Sequence, residues 1–395
     1  MSLEEQTLRF DVAVVGGGVI GCSTAHFLRQ LAPDASVAVV EPDPTYEFAS
    51  TLRASGGCRV QFTRPENIEM SRFSLDFIRN FAALMAVEGR EPPDIGWVEG
   101  GYLFIVPPES TAALERNAAL QRSMGCVVDL LGPGELKAKF PSMRVDDLGV
   151  GAHTPHDGWC DPNSLLWGFR RKAASQGVEF VQGRVAAIDV GRKAVRALKL
   201  EVGRKLVADH YVNAAGAWSG RVAAMAGMQL PVVPMKRYEH YFTPGTPMEP
   251  LPYVKDLARM AFRSEGRGFS GGLVDGSATR GFDFEVDHDY FERVVWPAAA
   301  HRFPPLEAAR CHRTWSGLYE VCELDGNPVI GPWRSGAPNL YTVAGFSGHG
   351  MMHAPAAGRA IAELIVHGSF QSIDLTKFGY ERVEAGEPCA ETGIL

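Results

Sequence analysis

The chain has 395 residues and contains no Cys-x-x-Cys pair, no Lys/Arg block, no basic leader and no long uninterrupted apolar run. Each absence excludes a class of protein. Without about 18 consecutive apolar residues, no spanning helix is expected. The start, Met-Ser-Leu-Glu-Glu-Gln, is acidic where a secretory signal is basic, so export is not expected. Lys+Arg number 39 against 46 Asp+Glu, a formal charge of −7, and such a chain lacks the electrostatic footprint of a nucleic-acid binder. Seven scattered cysteines (Cys22, Cys58, Cys126, Cys160, Cys311, Cys322, Cys389) form no disulfide framework and fit a reducing cytoplasm. His153, His156 and Cys160 lack a recognisable zinc spacing, so no metal is expected. Cys311 and His312 are adjacent, and neighbours on a strand point to opposite faces, which argues against a nucleophile pair.

Glycine is in excess: 43 of 395 residues, against an average usage of about 7 %. The glycines are clustered without a period of three, which excludes collagen. A length of 395 residues predicts two domains, because single cores stop growing near roughly 250–300 residues.

Residues 10–15 form a short β-branched run, followed by Gly16, Gly18 and Gly21 in a Gly-x-Gly-x-x-Gly turn, then a helical pattern over 23–31. A second apolar strand, 37–40, ends in Glu41. Continuous apolar strands of this kind belong to a parallel sheet covered on both faces. Strand, glycine turn, helix and an acid about 20 residues on make up the dinucleotide fingerprint. Gly16 permits the turn, Gly18 admits a pyrophosphate, and Gly21 lets the helix sit close to the strand. The helix start, with Val19 and Ile20, offers N–H groups to phosphate, and Glu41 can accept from a ribose hydroxyl.

Further along, the spacing predicts a helix over 65–89, a hairpin over 97–106 turning at Gly100 and Gly101, and a helix over 161–176. Strands are predicted over 178–181, 184–190, 195–200 and 210–215. Residues 231–315 alternate as a half-exposed antiparallel sheet does, with a helical piece near 291–301. A strand over 340–343 and a helix over 348–367 close the chain.

Four more segments share the order of the first motif. They run from Ser50 to Arg59, from Val212 to Ser219, from Trp315 to Gly331, and from Gly345 to Met352 (Gly-Phe-Ser-Gly-His-Gly-Met-Met). With the fingerprint they resemble the D-amino-acid oxidase superfamily of flavoproteins, particularly its glycine and sarcosine oxidase, dimethylglycine dehydrogenase and D-amino-acid dehydrogenase branch. The resemblance implies an α/β protein, α+β overall, in which a Rossmann-like FAD-binding domain (1–89, 147–226 and 325–395) is interleaved with an antiparallel substrate domain (90–146 and 227–324). It implies that Ser50, Thr51, Arg53, Ser55, Gly56 and Gly57 line pyrophosphate and flavin and that Val185 meets the adenine. Ala214, Ala215, Gly216, Trp218 and Gly317 would pack against the cofactor, with Gly348, His349, Gly350 and Met351 around the pyrimidine end of the ring. There the last helix can stabilise negative charge on reduced flavin. Branches that tether flavin use a cysteine where this chain has Ser316 or Gly317, or a histidine where it has Arg53, so FAD is expected to be non-covalent.

The reaction the resemblance implies is hydride removal from a carbon bearing an amine, to flavin N5, with hydrolysis of the imine. The partners are then a small amine and an electron acceptor: oxygen, a quinone or an electron-transfer protein. Arg59, Arg237 and Arg263 are the candidates for a substrate carboxylate, since arginine binds it bidentately. His240, Tyr241, Tyr319 and Met352 complete the expected pocket, and His349 and Tyr319 are the catalytic candidates. Phe62, Met352 and Tyr319 stand where the relatives' carboxylate clamp has cations, which points to a bulkier or N-substituted amine. Residues 266–272 hold no lysine, which favours a dehydrogenase over an oxidase. A 2-hydroxy-acid dehydrogenase and a non-catalytic assembly flavoprotein are the alternatives.

Overall fold

The computed structural model describes residues 7–201, 203–256, 260–273 and 278–391. The acidic start read above for export lies outside them, as do 257–259 and 274–277 of the alternating section. Two eight-stranded sheets organise the described chain. In the first, β1 (Thr7–Val15) is central, followed by α1 (Val19–Leu31) and β2 (Val37–Glu41). Strand Lys205–Asn213 pairs parallel with β1 on one side and β2 on the other, with Glu179–Gln182 beyond β2 and Ala337–Ala344 beyond Lys205–Asn213. The buried β-branched runs predicted here are the sheet centre: Val12, Val14, Val37 and Val39 enter one core, and Ala13, Val15, Ala38 and Val40 the opposite one.

The second sheet runs Arg310–Cys322, Val232–Thr243, Gly268–Leu273, Met260–Glu265, Tyr253–Asp256, Tyr102–Val106, Val150–Thr154 and Asp129–Leu131. Every pair is antiparallel except Tyr253–Asp256 with Tyr102–Val106. Leu103, Ile105, Val254, Phe262 and Phe242 pack beneath it in a separate core.

Three expectations change. Residues 97–106 are not a hairpin: Tyr102–Val106 pairs with the distant Val150–Thr154, Val98 bridges Trp159, and the Gly101 N–H donates to the Asp157 carbonyl at 2.8 Å. The glycines bend the chain, but the strand partners come from elsewhere. Val150–Thr154, numbered with the dinucleotide segment above, lies in the second sheet. Every residue in it is buried, so it has no alternation to distinguish it from a parallel strand. The long helix over 65–89 ends at Arg79, and the residues that follow form the short helix Phe81–Leu84.

Candidate active site

Two helix starts meet at the C-terminal edge of the parallel sheet. α1 begins at Val19, and the helix Gly350–His367 begins where strand Ala337–Ala344 leaves the sheet. The helices touch at Gly358, where a Cβ would stand 2.4 Å from Ser23 Oγ. Their unpaired N–H groups carry partial positive charge into one space.

Gly16 turns the chain with φ of 100°, and a Cβ there would meet the Ala214 carbonyl at 2.4 Å. A Cβ on Gly21 would strike the Gly16 carbonyl at 1.9 Å, so α1 and β1 require glycine to pack this closely. The Gly17 N–H donates to Glu41 Oε2 at 2.8 Å and the Asp43 N–H to Oε1 at 3.0 Å. Burial raises the Glu41 pKa, and these two donors pull it back.

The Ser50 to Gly57 segment is fastened to the second sheet. Ser50 Oγ donates to the Leu318 carbonyl at 2.6 Å, Arg53 to the Ser316 carbonyl at 2.5 Å, and Ser55 Oγ meets Tyr253 Oη at 2.8 Å. Arg53 also lies 5.4 Å from the rings of Phe48 and Phe284.

A continuous cavity of about 770 Å³ runs from Glu41 along these elements to the second sheet. Gly16, Gly18, Val19, Ile20, Ser50, Thr51, Arg53, Ser55, Gly56, Gly57 and Val185 line it. So do Ala214, Ala215, Gly216, Trp218, Gly317, Gly348, His349, Gly350 and Met351. Its far end holds Arg59, Arg237, Tyr319 and Met352. Arg237 lies 5.0 Å from the Tyr319 ring, and Arg59 4.1 Å from that of Phe62. Burial pushes the Glu239 and Glu320 carboxyls, both on the cavity, up to about 7.

His349 lines the cavity but is buried, and burial drives its pKa down to about 3. Its Nδ1 lies 3.1 Å from His353 Nδ1, and His353 Nε2 lies 2.8 Å from Ser71 Oγ. The ring is therefore neutral, with one nitrogen committed to another imidazole.

Gly21, His240, Tyr241 and Arg263 do not line the cavity. His240 is fully buried against Phe291, with Nδ1 2.9 Å from Thr314 Oγ1. Arg237, Tyr238 and Glu239 line the cavity, whereas His240 lies one residue further on, beyond its edge and packed into the core. Tyr241 packs against His312, and Arg263 is paired with Glu265 and donates to the Ser55 carbonyl at 2.6 Å. Arg263 thus ties the Ser50 to Gly57 segment to the second sheet. Sequence reasoning missed Tyr102, Tyr253, Lys255 and Glu239, all on the cavity. The alternation of Tyr253 and Lys255 around Val254 was the available signal. Among the described residues no cysteine lines the cavity, and Cys322, near the tethering position, is buried in the core behind the parallel sheet. The same residues include no His/Cys/Asp/Glu cluster able to hold a metal, and no helix long and apolar enough to cross a membrane.

The cradle fits an extended dinucleotide. A Cβ on Gly216 would meet only open space, and one on Gly18 nothing nearer than Thr51 Oγ1 at 3.7 Å, so both backbones are bare toward the cavity. The fold and site define an FAD-dependent oxidoreductase. The profile described as "FAD dependent oxidoreductase" (DAO) matches residues 11–364, and the chain belongs to that family. It is 38 % identical to the FAD-dependent oxidoreductase domain-containing protein 1 of Bos taurus, over 98 % of this chain and 87 % of that protein. It is 28 % identical to the glycine oxidase of Geobacillus kaustophilus, over 95 % and 98 % of the two chains. The crystal structure of L-proline dehydrogenase from P. horikoshii superposes with a TM-score of 0.86 at 26 % identity, covering 98 % of this chain and all of that one.

Proposed function

We propose that the protein oxidises a small amine bearing a carboxylate, using non-covalent FAD. The observation that carries this reading is the continuity of the cavity: the dinucleotide cradle opens, past Gly348 to Met351, onto a sheet face bearing Arg237 and Tyr319, with Arg59 beside it from the segment after Gly57. Relatives and structural neighbours named glycine oxidase, sarcosine dehydrogenase and L-proline dehydrogenase support the amine class.

In this reading Gly16, Gly18 and the start of α1 take the pyrophosphate, Glu41 takes a ribose hydroxyl, and the Ser50 to Gly57 segment with Gly348 to Met351 holds the flavin. Bound FAD supplies a two-electron acceptor for hydride. The chain itself must bind the substrate carboxylate, orient its C–H bond, and exclude water. Arg59 and Arg237 are suited to the first task by charge. Tyr319, whose hydroxyl burial holds protonated, orients the substrate by donating a hydrogen bond. Neutral His349 positions the start of the helix Gly350–His367 and takes no proton from the amine.

The dehydrogenase form rests on the absence of lysine from residues 266–272. Anaerobic bleaching of the purified flavoprotein with a panel of amines and 2-hydroxy acids tests the amine reading. Bleaching by hydroxy acids alone refutes it. Rapid reoxidation by air refutes the dehydrogenase preference.

A further inference from the structure

The sheet face at the far end of the cavity carries an excess of positive charge. Strand pairing sets Lys255 opposite Phe104 and Tyr253 opposite Tyr102, while Val254, Leu103 and Ile105 turn into the core beneath. Two cations flank one ring: the Arg59 guanidinium lies 5.2 Å and the Lys255 ammonium 5.3 Å from the centre of Phe104. Both residues line the cavity.

Among the described residues, neither Arg59 nor Lys255 forms a salt bridge. Arg59 donates to the Gln61 carbonyl, and Lys255 Nζ donates to no described group. The acids nearby are otherwise engaged. Asp157, whose buried carboxyl feels the Arg59 charge, accepts from the Thr154 hydroxyl at 2.5 Å and the Val60 N–H at 3.0 Å. Glu239 accepts from Ser270 Oγ at 2.7 Å. Burial and the Arg59 charge both lower the Lys255 pKa. Two cationic side chains held beside one ring, neither in an ion pair with a described acid, are better satisfied when a ligand supplies the counter-charge.

We propose that the substrate is an amine carrying two carboxylates, one received by Arg59 and the other by Lys255. The guanidinium fork suits a bidentate carboxylate, and the lysine, as a point charge, draws in the second. This inference rests on the amine reading above and narrows its substrate class.

The test compares N-methylaspartate with sarcosine, two N-methyl amines that differ by one carboxylate, in anaerobic flavin bleaching by the FAD-loaded protein. In parallel, malonate and acetate are titrated against the flavin absorbance. N-methylaspartate is expected to have a kcat/KM at least tenfold above that of sarcosine, and malonate to bind at least tenfold tighter than acetate. Lys255→Met should cut the N-methylaspartate to sarcosine ratio at least tenfold, and Lys255→Arg should keep most of it. Equal or reversed preference, or a ratio that Lys255→Met does not move, overturns the proposal. If neither amine bleaches the flavin, the amine and hydroxy-acid panel above decides the amine reading, and a malonate to acetate ratio near one in the wild-type protein overturns the dianion pocket. Should Lys255→Met fail to hold FAD, the same ratios measured on Lys255→Gln, together with the wild-type titrations, decide the matter.

Discussion

Glu41 accepts the backbone N–H of Gly17 at 2.8 Å, so the acid at the end of β2 also braces the glycine turn at the end of β1. One side chain thereby links the two strands that the cofactor must straddle. Replacing Glu41 with Ala removes that brace together with the ribose acceptor. Charge-assisted hydrogen bonds contribute roughly 1.5–3 kcal/mol each, and about 1.4 kcal/mol is tenfold in affinity. FAD affinity is expected to fall at least tenfold in Glu41→Ala, measured by fluorescence of released flavin.

Gly348 faces the Tyr319 ring. A Cβ there would stand 2.4 Å from a ring carbon, at a φ of 108° that other residues rarely adopt. Gly348→Ala is expected to lower the flavin-to-protein absorbance ratio severalfold. Gly348→Ala with Tyr319→Leu should recover part of it, since the steric term is relieved and the backbone strain remains.

Glu320 has one buried oxygen, Oε2, without a partner, and burial raises its pKa from 4.5 to about 7. A carboxyl whose folded pKa lies above its unfolded one contributes stability below the unfolded value and loses it as pH rises through the folded value. The melting temperature of apo wild-type protein should therefore fall more between pH 4.5 and 7 than that of Glu320→Gln. Parallel slopes in a thermal scan would refute the assignment.

With no cysteine among the described residues on the cavity, the flavin has no thiol to form a tether with. Acid precipitation is expected to leave a colourless pellet and all of the yellow in the supernatant.

The cofactor half was legible because its information is local. The turn at Gly16, the acid at Glu41 and the apolar runs of β1 and β2 each state their role within a few residues. The substrate half was not, because its strands find partners far along the chain. Nothing near residue 102 announces a partner at residue 154, and glycines at 100 and 101 suggested a turn that long-range pairing overrode. A polar residue in a strand does not announce where the cavity ends, so His240 reads as a pocket residue although it packs in the core. Lys255 was passed over because a single lysine on an alternating strand reads as a solvated one. Only the fold brings it beside Arg59 and Phe104.

The strand Ala337–Ala344 and the helix beginning at Gly350 complete a cradle whose first turn lies at Gly16. During synthesis these pieces emerge from the ribosome late, after the rest of the cradle. The chain must hold β1, β2 and Lys205–Asn213 in waiting until then, and the cofactor can be captured only after nearly the whole polypeptide has been made. A ribosome stalled before residue 344 would present a sheet lacking one edge and no second helix start, and FAD added to such a nascent chain would find no complete site.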